Sequence, residues 1–108
     1  MRYLVGVDGS QRSLDAVRLV GRLADPAVDA VAVCFSPLEL ERQLPGQPRE
    51  MIDGAVAGLF SEVCGLLPRG PARAPECIRV EQPAAPGLLG AAADWKADVL
   101  VGGAVSYT

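Results

Sequence analysis

The chain has 108 residues, 50% of them apolar and 21% charged, which is enough for one hydrophobic core and too little for two. A net charge of −3 offers no basic stripe to nucleic acid, and the complete lack of histidine excludes Ser-His-Asp and Cys-His catalysis and His-ligated metal sites. Cys34, Cys64 and Cys77 are widely spaced with no CxxC pair, so neither a zinc knuckle nor a thioredoxin-type motif is written here, and packed or idle thiols are expected.

Tyr3 to Val7 is a nearly continuous apolar run, the pattern of a strand buried on both faces. Asp8-Gly9-Ser10 breaks it, with Ser10 placed to cap the next element. From Gln11 to Ala24, Leu14, Val17, Val20 and Ala24 form an apolar stripe opposite Gln11, Asp15, Arg18 and Arg22. That spacing predicts an amphipathic helix, stopped by Asp25-Pro26. Val31 to Phe35 predicts a second buried strand, and Leu38 to Pro48, with its prolines and glycine, a loop. Arg49 to Leu67 predicts a second helix with Ile52, Val56, Leu59, Val63 and Leu66 on one side, and Pro68 to Pro75 a surface connection. Cys77 to Glu81 alternates apolar and charged residues, as a strand exposed on one face and placed at a sheet edge would. Pro86 opens a third helix with Leu88, Ala92 and Trp95 on one face, and Asp98 to Gly103 is a fourth strand. Strands alternating with helices predict an α/β fold, an open parallel sheet. No apolar run approaches the roughly 20 residues of a membrane span, and Asp8 comes too early for a secretory leader. A cytoplasmic protein with no membrane or nucleic-acid partner is expected.

Open parallel sheets bind ligands beyond the carboxyl ends of their strands, where strand order reverses. The lip of such a crevice here is Asp8-Gly9-Ser10, Ser36-Pro37 and Gly102-Gly103. Asp8 either accepts from a ligand hydroxyl or amino group, or simply starts the turn and favours the positive end of the first helix. The glycine pair either admits a ligand to the backbone or only turns the chain. Neither a P-loop nor a G-x-G-x-x-G fingerprint is present. Asp8 is the only carboxylate at the lip, which argues against a phosphoacceptor domain, and Ser10 and Ser106 lack a base to make either a nucleophile.

Tyr3-Leu4-Val5-Gly6-Val7-Asp8-Gly9-Ser10, followed by Ser13-Leu14-Asp15-Ala16, resembles the opening of universal stress protein domains. Leu88 through Gly103 resembles their third helix and fourth strand. The resemblance implies a Rossmann-like five-stranded parallel sheet of order 3-2-1-4-5, in a family where many members bind ATP and others do not. It places Asp8 at the nucleoside, Gly6 and Val7 in the same pocket, and Cys34 where the second strand's backbone meets adenine. Gly102, Gly103 and Ser106 fall on the phosphate side. Gly103 matches the first glycine of the motif G-x2-G-x9-G-[ST], Ser106 stands in place of the second, and the sequence ends at Thr108 before the last Gly-[ST]. Gln82-Pro83 replaces the glycine usual before the third helix, and the fourth helix and fifth strand are missing.

The expectation is therefore a single domain over residues 1–108, C-terminally incomplete, with strand order 3-2-1-4. It is expected to act by association rather than catalysis, with ATP binding degraded or lost and no assured cofactor. The alternative is a protein that binds ATP or AMP and hydrolyses ATP slowly at most. Apolar Val99 to Val101 would form an open edge, and a face beside the first helix would lie partly bare, which together point to a homodimer.

Overall fold

The computed structural model describes residues 1–8, 11–25, 27–38, 41, 45–67, 74–102 and, for the backbone, 105–107. Its elements are β1 (Arg2–Val7), α1 (Gln11–Leu23), β2 (Ala30–Phe35), α2 (Arg49–Cys64), β3 (Glu76–Arg79), α3 (Ala84–Trp95), β4 (Val99–Gly102) and β5 (Val105–Tyr107). The sheet order is β3-β2-β1-β4-β5. β1 lies at the centre, parallel to β2 on one side and β4 on the other, and β3 continues parallel beyond β2. The 3-2-1-4 order is the one expected, and β3, with its alternating charges, is the edge.

Three sequence expectations need correction. First, the edge of β4 is not open: Val105–Tyr107 runs antiparallel along it, pairing Leu100 with Tyr107, Val101 with Ser106 and Gly102 with Val105. A parallel fifth strand needs a crossover of about a dozen residues or more, and only Gly103 and Ala104 separate β4 from β5. Second, Leu38 and Glu41 are helical rather than loop. Third, the lightly covered face is not the one beside α1. The steps β1 to β2 and β2 to β3 move one way across the sheet and β3 to β4 moves the other, so right-handed crossovers put α1 and α2 on one face and α3 on the opposite one. The proposed cap Ser10 lies outside the described residues.

The core divides accordingly. Tyr3, Val5, Val7, Val33, Phe35 and Val101 meet α1 and α2 through Val17, Val20, Ile52, Val56 and Val63. Leu4, Ala32, Cys34 and Leu100 meet Leu88, Ala91, Ala92 and Trp95 of α3. At the amino ends of the strands, Asp98 Oδ2 accepts from the Arg2 backbone N–H (2.8 Å), and the Asp98 N–H donates to the Arg2 carbonyl (2.8 Å). The Arg2 guanidinium donates to the Trp95 carbonyl (3.0 Å) and lies 4.0 Å over the Trp95 ring, which ties the end of α3 to the start of β1.

Leu4 is 0% exposed at the centre of the α3 side of the sheet. Leu4→Ala should remove about 2–5 kcal/mol, a large share of the ~5–15 kcal/mol available to a domain. Urea denaturation is the check: the midpoint should fall sharply with an unchanged slope, and an unmoved midpoint would mean that this face is not a cooperative part of the core.

Candidate functional site

Side chains alternate along a strand, so Gly6 shares the α3 face with Leu4. The register sets Gly6 against Cys34 on one side and Gly102 on the other, and Cys34 against Ile78. Ile78, Cys34, Gly6 and Gly102 thus form one row across the carboxyl ends of four strands. The two glycines lie at the β1–β4 boundary where strand order reverses, which is where an open α/β sheet takes its ligands.

Half-buried Leu88 lies over these two glycines. A Cβ on Gly6 would lie 2.9 and 3.1 Å from the two Leu88 methyl carbons, and a Cβ on Gly102 would lie 3.1 Å from one of them. The first turn of α3 is seated by another glycine, because a Cβ on Gly87 would stand 2.7 Å from Val80 Cγ2. The chain between β3 and α3 is also anchored to β2. Val80 N–H donates to the Phe35 carbonyl (3.0 Å), and the buried Ser36 hydroxyl donates to the Gln82 carbonyl.

The residues singled out from the sequence are divided by this geometry. Gly6, Cys34 and Gly102 come together in the row. Cys34 is 3% exposed, and burial pushes its thiol up to about 11, so it packs as a small apolar side chain. Val7 points to the opposite face, among the residues packed by α1 and α2. Asp8 is exposed beyond the end of β1, and its backbone N–H donates to the hydroxyl of buried Ser13 in α1 (3.3 Å). Gly103 lies outside the described residues, and Ser106 belongs to the backbone of β5, paired with Val101. Arg79, at the carboxyl end of β3, is held by Asp53 (2.8 Å) and Glu81 (2.9 Å), and both carboxylates raise its pKa further. Among the described residues no group of three or more Cys, Asp or Glu is placed to hold a metal ion.

Sequence reasoning puts Leu88 on one face of its helix with Ala92 and Trp95 but not over the glycines. The signal lies in Gly6 and Gly102, each following a Leu-Val pair in its strand, a marker of close approach by another group.

No protein-family model and no curated protein matches the chain. Solved structures do match. One is the protein Rv1636 from Mycobacterium tuberculosis H37Rv, with TM-score 0.63 and 20% identity over 96% of this chain and 71% of that one. Another is a universal stress protein in complex with cAMP, at 0.63 and 20% over 93% of this chain and 73% of that one. A third, from the universal stress protein family of Burkholderia pseudomallei, matches at 0.59 and 23% over 94% and 80%. The fold is that of the universal stress proteins. Strand order and helix placement carry this likeness, and it agrees with the universal stress protein resemblance of Tyr3–Ser10 and Leu88–Gly103.

If Leu88 occupies the trough of this fold, Gly6 and Leu88 are energetically coupled. Gly6→Ala should destabilise the chain by about 1 kcal/mol through overpacking, and should cost nothing once Leu88→Ala has cleared the space. A double-mutant cycle by urea denaturation measures this, with a coupling near 1 kcal/mol expected. Simple additivity would place Leu88 elsewhere.

Proposed function

We propose that this chain is a universal stress protein-like, non-enzymatic cytoplasmic domain whose adenine-nucleotide site is degraded, and that it acts by association. The observation that supports this most directly is Leu88 packed over Gly6 and Gly102. A base or phosphate entering at the strand-order reversal needs the open backbone those glycines would otherwise offer, and the trough already holds a leucine side chain.

The phosphate side supports the same reading. Tight binding of a triphosphate draws on successive backbone N–H groups converging in a concave nest. Here the chain returns after Gly102 as an antiparallel strand, and Ser106, which stands in place of a motif glycine, is paired with Val101. With no histidine in the chain and Asp8 as the lip carboxylate, no acid–base pair for hydrolysis is evident. Because β5 covers β4, association with a second copy is assigned to a surface other than the β4 edge.

A second reading, binding of an adenosine monophosphate-type ligand, is favoured by the cAMP held by one of the structural neighbours. Calorimetry with ATP, AMP and cAMP separates the two. The degraded site predicts that all three bind no better than about millimolar, near −4 kcal/mol, with no ATP turnover above background. Micromolar affinity for any of them, lost in Asp8→Ala, would contradict the proposal. So would hydrolysis that stops in Asp8→Asn.

A further inference from the structure

We propose that Cys64 and Cys77 form an intramolecular dithiol–disulfide site that staples the end of α2 to the edge strand β3. The two are distant in the usual motif sense, yet the fold places their sulfurs 3.0 Å apart, with one thiol donating to the other. Cys64 is the last residue of α2, and Cys77 is the second residue of β3, paired with Val33 of β2. Cys77 and Arg79 share a face of β3, and both reach α2: Arg79 through its ion pair with Asp53 (2.8 Å) and Cys77 through Cys64. The contact is therefore part of how α2 lies along β3, not a chance meeting of two loop ends. A disulfide bond of ~2.0 Å asks the sulfurs to close by about 1 Å, within the reach of side-chain rotation. Cys77 is exposed and Cys64 half-exposed, so a small oxidant has access, whereas Cys34 is buried.

The oxidant is a low-molecular-weight disulfide of the glutathione type. One cysteine thiolate attacks it, forming a mixed disulfide and expelling a glutathione thiolate. The second cysteine thiolate then attacks the protein-side sulfur, forming the Cys64–Cys77 bond and expelling the second glutathione thiolate. The two protons lost by the cysteines end on the two glutathiones. The dithiol is oxidised by two electrons, and glutathione disulfide is reduced by two. Partial burial of its sulfur, although the residue as a whole is exposed, and then the hydrogen bond to Cys64 push the Cys77 thiol up. The thiolate is the reacting form, so closure accelerates as pH rises.

The test is a redox titration of the reduced chain with glutathione and its disulfide at mildly alkaline pH, quenched, unfolded, alkylated and weighed. The expected wild-type product has lost the mass of two hydrogens and keeps one alkylatable thiol, at Cys34. Its melting temperature rises by about 10 °C and returns on reduction. Cys64→Ser and Cys77→Ser should each stop at the glutathione adduct with no such rise. Retention of all three thiols at the oxidising end, double glutathionylation, or cross-linked dimers would each refute the site. A bond that forms without raising the melting temperature would refute its role as a staple of the native arrangement.

Discussion

The close approach of α3 to the centre of the sheet is the constraint on which the rest of the architecture depends. β1 is flanked by β2 and β4, and one of its faces is closed, among the described residues, by α3. Leu88 settles into that face because Gly6 and Gly102 carry no Cβ, and α3 starts where it does because Gly87 fits against Val80. A glycine inside a strand or helix costs roughly 0.5–1 kcal/mol in backbone entropy, and the contact made by Leu88 offsets that. The two ends of the layer are fixed independently. Arg2, Trp95 and Asp98 hold the amino ends, and Val80 with Phe35 and Ser36 with Gln82 hold the carboxyl ends.

This constraint also decides what the crevice offers. The same two glycines that admit Leu88 are the positions at which a doubly wound sheet would let a ligand reach the backbone. In the proposed reading, occupation by a side chain of the protein and occupation by a nucleotide are alternatives. Of the described lip residues, Cys34 is buried in the row, Val7 faces the opposite layer, and Asp8 stands exposed past the strand end. A fold shared with one cAMP-bound universal stress protein does not by itself assign nucleotide binding to this chain.

Much of the fold was legible because it is written in local pattern. The apolar runs of β1 and β2, the 3.6-residue stripe of α1 and the alternating charges of β3 each follow from neighbours within a few residues. What escaped depends on register and handedness. The row of Cys34, Gly6 and Gly102, and Leu88 above it, exist only once β1 is paired with β2 and β4. The meeting of Cys64 with Cys77 needs α2 laid along β3, and cysteine spacing alone suggested idle thiols. The antiparallel return at Val105 differs from the expected missing fifth strand and open β4 edge, because a three-residue strand after a two-residue connection carries no periodic signal of its own. The misplaced bare face came from neglecting that reversing direction across the sheet moves a right-handed crossover to the other side.

The degraded site requires Leu88 to stay over the glycine row when nucleotide is offered. Nuclear Overhauser contacts between the Leu88 methyl groups and the α-protons of Gly6 and Gly102 measure this directly in the folded chain. They should be present in the free protein and unchanged with millimolar ATP, AMP or cAMP. Loss of those contacts, with new ones from adenine or ribose protons to Gly6 and Gly102, would show that the trough opens to a nucleotide and contradict the account.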